Sequence, residues 1–404
     1  MNIWLINHYA VPRSGSSGTR HAVLAKHLAD KGHRVTVFAS PTSRAHINTL
    51  VKFNNNSIFA DQEHDGCIFR FIRTLEYNNN VTRFFNMINF RKNILRSTNG
   101  LQAPDVVLGS CVHLHAADAG RILARRYKVP FIYEIRDIWP ESLIDVGGMN
   151  RWHPVYLYLR SIELRLYREA SHFITLLPGS NPYLQKHGID TDKITYLPNG
   201  IDTELYPPLK PPANSDSFTA LFFGAHGPAN GLDTILHAAK KLQDNKNSIH
   251  IRIQFIGDGN SKPSLLKLRD ELQLNNVEFF ERMNKKELFI KAQQADAFIF
   301  HLKNMPVLQR YGVSANKLFD YLMCGRPVLF ACNSYNDPVK EAGAGISIPP
   351  NNPDAMADAL LHLSKTNHEE RQAMGERGRK WVIKNHDLGK LAQRLEKVLV
   401  DITK

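Results

Sequence analysis

The sequence predicts an α/β protein built from two doubly wound, parallel-sheet domains, and three observations support this prediction. The chain has 404 residues, which is long enough for two sizeable hydrophobic cores. Short β-rich runs alternate with helical patterns, as in the βαβ units that form parallel sheets. A stretch with five prolines and little periodicity, at 196–217, separates two such alternating series.

The first series predicts one complete domain. Its helical patterns predict four helices, at 19–30, 81–96, 115–126 and 154–170. Its apolar and β-branched runs predict six strands, at 3–7, 34–39, 68–72, 106–109, 131–135 and 172–176.

The second series repeats this alternation after the proline-rich stretch. It predicts strands at 219–224, 251–256, 277–280, 297–302, 328–331 and near Ile346. It predicts helices at 232–243, 264–272, 285–294, 316–323, 353–366 and 369–400, the last with a break near 385–387. We therefore expect domains at 1–197 and 218–382, a linker at 198–217 and a C-terminal helix at 383–404.

The composition limits the possible classes of function. The formal net charge is +13, and residues 1–200 hold 24 basic against 15 acidic residues. A basic first half favours an anionic partner such as lipid headgroups, nucleic acid or diphosphates, although a merely soluble basic surface fits equally. The four cysteines form no CxxC pair, which argues against a zinc site or a disulfide framework. No apolar run approaches the ~20 residues of a membrane span and no signal peptide is recognisable, so we expect a cytoplasmic protein.

Glycine-rich loops follow the first predicted strand of each domain. Gly15 and Gly18 lie in GSSGTR, and Gly224 and Gly227 lie in LFFGAHGPANG. Glycine lets the backbone approach a ligand closely, and the N–H groups that begin the next helix can bind phosphate. Each loop alone also fits an ordinary strand-to-helix connection, because it lacks the dinucleotide-binding fingerprint. Two matched loops at the carboxyl ends of two sheets indicate a ligand site in a cleft between the domains.

The stretch RYGVSANKLFDYLMCGRPVLFA, at 310–331, is the most informative one. Lys317 and Asp320 are three residues apart, so they lie on one face of the predicted helix. A lysine at a helix start can neutralise a phosphate, and a carboxylate one turn later can accept two hydrogen bonds from a ribose diol. A capped amphipathic helix with a surface ion pair is the alternative interpretation.

Polar side chains also lie near the ends of the fourth and fifth predicted strands. His113 and His115 come after the fourth strand, where they either line a ligand site or belong to a plain loop. In YEIRD, Glu134 or Asp137 could orient or deprotonate a hydroxyl, and Arg136 could hold a phosphate. A helix-capping turn ahead of the following proline is the alternative for Asp137.

Residues 320–328, DYLMCGRPV, resemble the signature of glycosyltransferase family 4, in which a carboxylate precedes A/Y-M-A-x-G-x-P-V. Similar stretches are GTRHAVLAKHLADKGHRVTVFA at 18–39, YEIRDIWPES at 133–142 and LPNGIDTELYPP at 197–208. The resemblance covers residues 1–400 and is strongest to bacterial sugar transferases of O-antigen, capsule or exopolysaccharide assembly, of the N-acetyl-L-fucosamine transferase type. It implies the GT-B fold, in which two Rossmann-like domains face across a cleft, with a C-terminal helix that crosses back to the first domain.

The resemblance also implies an activity. It implies a retaining transfer of a sugar from a nucleotide-sugar donor, expected to be a UDP-sugar, without a metal or other cofactor. The expected sugar is an N-acetylated hexosamine or deoxyhexosamine. No carboxylate stands out as a covalent nucleophile. We therefore expect the family's front-face mechanism, in which the leaving phosphate oxygen receives the proton of the acceptor.

The candidate site residues form three groups. Those expected to act in catalysis are Asp137, Lys317 and Arg136. Those expected to bind the acceptor are Arg20, His113, His115 and Glu134. Those expected to bind the donor are Gly15, Gly18, Gly224, Gly227, Asn199, Met283, Asn316, Lys317 and Asp320.

Four positions depart from the pattern of the family. Its two glutamates, separated by seven residues, correspond to Gly312 and Asp320. Its arginine and lysine, which hold the donor diphosphate, correspond to Ala225 and Asn230. The leaving nucleotide gains negative charge in the transition state, so a cation must come from elsewhere, and Lys317 is the nearest candidate.

The helix predicted at 81–96 is basic and amphipathic. VTRFFNMINFRKNILRS carries four positive charges and no acid, with aromatic and aliphatic residues broadly on one side. Together with RWHPVYLYLRSIELRLYR at 151–168, it favours peripheral attachment to anionic lipid on the inner face of the cell membrane. The acceptor would then be a saccharide on a polyprenyl diphosphate, with Arg20 at a phosphate. An ordinary helix covering the sheet is the alternative.

Two further functions stand as alternatives. A non-catalytic nucleotide-sugar-binding or scaffold subunit would explain the glycine at 312 and the two lost cations. Nucleic-acid binding through the basic half is the other. It lacks a recognisable binding module or an arginine-rich arm, so no nucleic-acid partner is expected.

Overall fold

The computed structural model confirms an α/β architecture with two sheets. It describes residues 1–13, 19–41, 51–54, 56–209, 217–245 and 250–404. These residues form two compact units, of which one comprises Met1–Asn199 with Leu388–Lys404 and the other Gly200–Asp387. We refer to them below as the first and the second domain.

The first domain contains an eight-stranded sheet in which all pairs are parallel except one. Its strands are β1 Asn2–Ile6, β2 Arg34–Ala39, β3 Phe59–His64, β4 Cys67–Ile72, β5 Val106–Cys111, β6 Phe131–Ile135, β7 His172–Thr175 and β8 Ile194–Tyr196. The strand order is β3-β4-β2-β1-β5-β6-β7-β8, with β3 antiparallel to β4. The order therefore reverses between β1 and β5, which is where ligands bind in doubly wound sheets.

Within the described part of this domain, six α-helices connect these strands. They are α1 Arg20–Ala29, α2 Asn80–Ile94, α3 Leu114–Tyr127, α4 Ser142–Gly147, α5 Pro154–Glu169 and α6 Asn181–Gln185. A capping box between Asn79 and Thr82 begins α2. Helix α3 packs directly on β5, because glycines at 109 and 120 let the two backbones approach: a Cβ atom at Gly120 would lie 3.1 Å from the Gly109 Cα atom.

All six strands and four helices that the sequence predicts for this domain are present, within a few residues at their ends. Strands β3 and β8 were not predicted. Strand β3, FADQEH, is a polar edge strand that pairs with β4, and β8 has three residues. Such short or edge strands carry little hydrophobic pattern of their own.

The second domain contains a six-stranded, fully parallel sheet. Its strands are β9 Phe218–Phe223, β10 Ile251–Ile256, β11 Val277–Phe280, β12 Ala297–His301, β13 Val328–Ala331 and β14 Gly345–Ile348. The order is β11-β10-β9-β12-β13-β14, which reverses between β9 and β12. Its helices are α7 Leu232–Asp244, α8 Lys262–Glu271, α9 Lys285–Ala292, α10 Pro306–Gln309, α11 Asn316–Met323, α12 Pro338–Ala342, α13 Pro353–Lys365 and α14 His368–His386.

The last helix, α15 Leu388–Thr403, belongs to the first domain, as predicted. It follows α14 after Asp387 and packs against α1. Leu391, Leu395 and Leu399 are buried in the core formed around β1 and β2. Among the described residues, no helix is both long and apolar enough to span a membrane.

Candidate active site

The glycine-rich loop after β9 lies where the strand order of the second sheet reverses. The loop leads from β9 towards α7, and the turn after β10 packs against it. Gly257 in this turn has φ +142°, and a Cβ atom there would lie 2.0 Å from the carbonyl oxygen of Gly224. Only glycine fits this position, because both the backbone conformation and the close approach exclude a side chain. The loop is thereby held beside the carboxyl ends of the strands, where the sequence predicts donor phosphates.

The side chain of Lys317, which comes from α11, packs against this loop. Its ammonium group, from the first turn of α11, donates a hydrogen bond to Oδ1 of Asn230. The Nζ atom also lies 4.8 Å from the ring centre of Phe222 and 4.9 Å from that of Phe300. Burial lowers the pKa of Lys317 to about 7. The side chain is therefore held in one place and is poised between its charged and neutral forms near neutral pH.

Asn230 organises the loop around Lys317. Its side-chain amide donates to the backbone carbonyl oxygen of Ala225 at 2.7 Å. The backbone carbonyl oxygen of Asn230 lies 2.7 Å from Nδ1 of His301. The backbone N–H of Asn351 donates to Nε2 of His301 at 3.0 Å, so His301 carries its proton on Nδ1. Ala225 and Asn230, which correspond to the arginine and lysine of the family, are thus hydrogen-bonded to each other. Lys317 supplies a cation beside them.

Asp320 lies one turn after Lys317 but has a different partner. The hydroxyl of Tyr206 donates to Oδ1 of Asp320, and the Tyr206 ring stacks on Phe289 at 4.2 Å. Burial raises the pKa of Asp320, although the hydrogen bond from Tyr206 opposes this shift. The surface ion pair between Lys317 and Asp320, the alternative interpretation of this helix, is replaced by these two separate contacts.

The other donor candidates in the second domain differ in their surroundings. Gly312 has φ +104°, a conformation that favours glycine, so a glutamate at this position would be strained. A Cβ atom at Gly227 would meet no atom of the described residues within 4 Å. Asn316 is exposed at the start of α11, and Met283 packs against the core with part of its surface exposed. Their donor contacts stay predictions.

In the first domain, the structure gives Glu134 and Arg20 roles that differ from those predicted. Nε and Nη2 of Arg20 each donate to Oε1 of Glu134 at 3.2 Å, while Nη2 also donates to the carbonyl oxygen of Leu197 at 2.9 Å. Nε2 of His21 lies 2.8 Å from Oε2 of Glu134. Arg20 is 5% exposed and Glu134 is 1% exposed.

Burial alone would raise the pKa of Glu134, but the charges of His21 and Arg20 outweigh it and hold the pKa well below its usual range. A carboxylate with such a low pKa is a poor proton acceptor. The structure therefore gives this buried pair a structural role, in which it anchors α1 to β6 and to the chain at 197, and its acceptor contacts stay predictions.

Arg136 and Asp137 follow this buried pair at the end of β6. Nη1 of Arg136 lies 3.9 Å from Oε2 of Glu134, and Nη2 donates to Oδ1 of Asn199 at 3.4 Å. Nη1 is buried and has no hydrogen-bond partner among the described residues. Part of the Asp137 surface is exposed, yet desolvation of its carboxyl group raises the pKa to about 6. The nearby charge of Arg136 opposes this rise. The capping alternative for Asp137 is wrong, because α4 begins at Ser142.

The two histidines after β5 are buried rather than exposed in a loop. His113 caps α3, where Nδ1 accepts from the backbone N–H of Ala116 at 3.2 Å. Its Nε2 lies 2.7 Å from Nδ1 of His8. His115 is 1% exposed. Burial lowers the pKa of His115 to about 4 and that of His8 to about 3, so both are neutral at neutral pH.

The donor candidates Gly15 and Gly18 lie outside the described residues. Among the residues that the structure describes, no group of three or more histidine, cysteine, aspartate or glutamate side chains could hold a metal ion.

Several residues that shape these sites were not predicted from the sequence. Tyr206 lies in a stretch quoted only for its resemblance, and Phe222, Phe300 and His301 lie at strand ends within apolar runs. His8 lies two residues after β1. Polar or aromatic residues at the carboxyl end of a predicted strand were the available signal.

Comparisons with known proteins agree with this architecture. The family model described as Glycosyltransferase Family 4 matches residues 18–205, and the model described as Glycosyl transferases group 1 matches residues 209–381. The protein named Probable glycosyltransferase WbjE, from Pseudomonas aeruginosa, is 22% identical over 246 residues. That match spans 57% of this chain and 60% of WbjE.

Solved structures resemble nearly the whole chain. Sucrose-phosphate synthase from Thermosynechococcus elongatus has a TM-score of 0.77 at 15% identity, covering 99% of this chain and 98% of its own. HepE from Anabaena, in complex with UDP-glucose, has a TM-score of 0.68 at 16% identity, covering 99% and 100%. WaaG, a glycosyltransferase involved in lipopolysaccharide biosynthesis, has a TM-score of 0.69 at 16% identity, covering 99% of each chain. These likenesses confirm the predicted GT-B fold.

Proposed function

We propose that this chain is a retaining glycosyltransferase, because two glycosyltransferase family models match residues 18–205 and 209–381. Its second domain binds a UDP-sugar donor, and its first domain binds a saccharide carried on a polyprenyl diphosphate. The observation that carries the proposal is the ammonium group of Lys317, held on the glycine-rich loop by Asn230. A fixed cation where the strand order reverses suits a diphosphate leaving group.

The proposed donor and the proposed acceptor are supported by different observations. HepE was solved in complex with UDP-glucose, which supports a UDP-sugar here. WaaG is involved in lipopolysaccharide biosynthesis, which supports a role in the assembly of a surface polysaccharide. An N-acetylated hexosamine or deoxyhexosamine rests on the sequence resemblance alone.

The proposed reaction exchanges one bond at the anomeric carbon for another. The bond between that carbon and the β-phosphate oxygen breaks, and a bond to the acceptor hydroxyl oxygen forms on the same face. The acceptor proton passes to the leaving phosphate oxygen. Lys317 stabilises the negative charge that develops there. Asp137 orients the acceptor hydroxyl, and Arg136 offers to an acceptor oxygen its Nη1, which no described residue engages in a hydrogen bond.

The non-catalytic alternative is not favoured. It rests on Gly312 and on the absence of cations at Ala225 and Asn230. The contact between Lys317 and Asn230 returns a cation to this loop, so the alternative is not needed to explain those positions.

The first domain offers a surface for peripheral membrane attachment. Its exposed large apolar residues on and beside α2 and α5 are Val81, Phe85, Trp152, Leu157, Tyr158 and Leu164. Exposed cations in the same segments are Arg96, Arg151 and Arg168, together with Lys92. Apolar side chains flanked by cations are typical of proteins that bind an anionic lipid surface, and we propose attachment on the cytoplasmic face.

A donor screen tests the proposed activity. UDP-, GDP- and dTDP-sugars are compared for their effect on the melting temperature, and those that stabilise the protein are tested for transfer or hydrolysis. A UDP-sugar at one hundred times its Kd should add about 2.7 kcal/mol to the free energy of unfolding. Binding without any transfer to a lipid-linked acceptor would favour the non-catalytic alternative, and stabilisation by GDP- or dTDP-sugars alone would overturn the choice of UDP.

Vesicle sedimentation tests the membrane surface. Phe85→Ser should weaken binding to vesicles that contain anionic phospholipid, because Phe85 is 55% exposed on α2. Tyr335→Ser is the matched control, since Tyr335 is 67% exposed on the second domain. Equal binding by both variants and the unaltered protein would argue against this surface.

A further inference from the structure

A cluster of buried polar side chains lies where the strand order of the first sheet reverses. His8 follows β1, and His115 follows the neighbouring strand β5. Both are completely or almost completely buried, at 0% and 1% exposure. The third member, Arg83, comes from the first turn of α2. Three separate elements therefore bring nitrogen donors to one place.

The hydrogen bonds around His113 determine which ring nitrogen of His8 carries the proton. The backbone N–H of Ala116 donates to Nδ1 of His113, so the proton of His113 is on Nε2. That Nε2 donates to Nδ1 of His8 at 2.7 Å. His8 therefore carries its own proton on Nε2. This N–H is buried and has no hydrogen-bond partner within the part of the chain that the structure describes.

His115 and Arg83 also have buried nitrogen atoms that no described residue engages in a hydrogen bond. Neither ring nitrogen of His115, and neither Nε nor Nη2 of Arg83, has a hydrogen-bond partner among the described residues, although all four atoms are buried. Buried polar groups in folded proteins are nearly always hydrogen-bonded. Such nitrogens therefore need partners from outside the described residues, and a ligand with several acceptor oxygens could serve all three side chains.

Ring contacts connect the two histidines, because the ring centre of His113 lies 4.8 Å from that of His8 and 6.4 Å from that of His115. The Phe90 ring, from α2, stacks on His8 at 4.2 Å. The ring of Phe84, next to Arg83 in the chain, lies 5.7 Å from that of His115. The charge of Arg83 also contributes to the lowered pKa of His8. The cluster thus combines one permanent cation with neutral histidine N–H donors, which suits a phosphate oxygen.

An exposed apolar surface adjoins the cluster. The Tyr158 ring of α5 lies 5.8 Å from His115 and 6.4 Å from Phe84, so α2 and α5 meet over the histidine. Phe85 and Leu157, next to these rings in the chain, are 55% and 49% exposed. Phe84 and Tyr158 thus lie on His115 from the side of this apolar surface.

We propose that Arg83, His8 and His115 bind the phosphoryl group nearest the lipid in a lipid-linked acceptor, whose apolar chain lies along Phe85 and Leu157. The identification of the ligand as the acceptor rests on the proposed function. The binding site itself rests on the buried nitrogens that no described residue satisfies and on the adjoining apolar surface. A bound phosphoryl group would accept hydrogen bonds from these buried nitrogens.

Binding of farnesyl diphosphate to the full chain tests the proposal by calorimetry. Inorganic pyrophosphate and farnesol serve as the anion-only and chain-only probes. Arg83→Gln removes the cation, and His115→Phe removes the two nitrogens while keeping an aromatic ring. Arg125→Gln is the control, because Arg125 is exposed near the end of α3. UDP binding is measured with each variant, since it reports on the second domain.

Arg83→Gln and His115→Phe should each weaken farnesyl diphosphate binding by about tenfold, as expected for the loss of a charge-assisted or buried hydrogen bond. Arg125→Gln should bind within about twofold of the unaltered protein, and farnesol binding should not depend on Arg83. Undiminished farnesyl diphosphate binding by both variants overturns the site. Pyrophosphate binding as tight as that of farnesyl diphosphate overturns the lipid assignment and leaves a free anion as the ligand. Failure to bind UDP-sugars would instead refute the proposed function, while the dependence on Arg83 would stand.

Discussion

The two sheets reverse their strand order in the same way, but the cations at the two reversals are held differently. Both reversals also leave buried histidine nitrogens without partners among the described residues, those of His226 in the second domain. In the second domain, Lys317, Asn230 and His301 form a continuous set of hydrogen bonds. In the first domain, His8 and His115 keep buried nitrogens without partners among the described residues. Under the two proposals, the cation of the donor side, Lys317, is held before the donor binds, whereas Arg83 on the acceptor side gains its partner from the ligand.

The largest expected effect concerns the cation of the second domain. Lys317→Met keeps a long apolar side chain between Phe222 and Phe300 but removes the ammonium group. Transfer should fall by about 100-fold or more, because loss of one preorganised donor at a developing charge costs about that much. Steady-state rates with a UDP-sugar measure this. Lys267→Ala removes an exposed lysine of α8 and should leave the rate unchanged. A full rate with Lys317→Met would contradict the assignment of this cation.

The next effect concerns the backbone beneath the donor loop. Gly257→Ala should lower the free energy of unfolding by about 3 kcal/mol, since the residue has a positive φ and its Cβ would collide with Gly224. Gly227→Ala is the matched control, because its φ is −103° and its Cβ meets open space. Urea denaturation measures both variants. Equal stability of the two would mean that the loop can shift and is not held in advance.

A pair of histidine substitutions tests the comparison directly. His301→Phe should destabilise the protein by about 2 kcal/mol, because it leaves the carbonyl of Asn230 and the N–H of Asn351 without their partner. His115→Phe should be neutral or stabilising by about 1 kcal/mol in the absence of ligand, since no described residue loses a hydrogen bond. Thermal denaturation shows whether each substitution lowers or raises the stability of the protein. Destabilisation by both substitutions would remove the distinction between the two sites.

The smallest effect is a pH dependence of UDP binding. Lys317 is protonated in the free protein below a pKa of about 7, and an anionic ligand should raise that pKa. Binding then takes up a proton above pH 7, so affinity falls as pH rises, by at most about tenfold per pH unit. Burial keeps the pKa of His226 at about 4 and lowers that of His301, so neither titrates in this range.

Calorimetry in buffers of different ionisation enthalpy measures the proton uptake. Lys317→Met should abolish the dependence on pH while Lys267→Ala retains it. The same pH profile in both variants would assign the titration to another group.

Local patterns in the sequence were enough to predict most of the fold. Alternating apolar runs and helical periods located six strands in each series, because each buried strand or helix face must be apolar over its own length. The spacing of Lys317 and Asp320 and the glycines of the donor loop were also visible. The edge strand β3 was not, because its six residues include four polar ones and its pairing depends on β4.

What the sequence determined by itself was the two-domain α/β architecture and the position of Lys317, since both follow from residues that are close in the chain. Only the tertiary structure decided the partner of each polar side chain. Glu134 lies 114 residues from Arg20, and His8 lies 105 residues from His113, yet each pair is in direct contact. Strand order brings these residues together, and strand order depends on the packing of the whole sheet. For that reason Arg20 and Glu134 proved to be a buried anchor, and the nitrogens of His8 and His115 that no described residue satisfies became visible only in the fold.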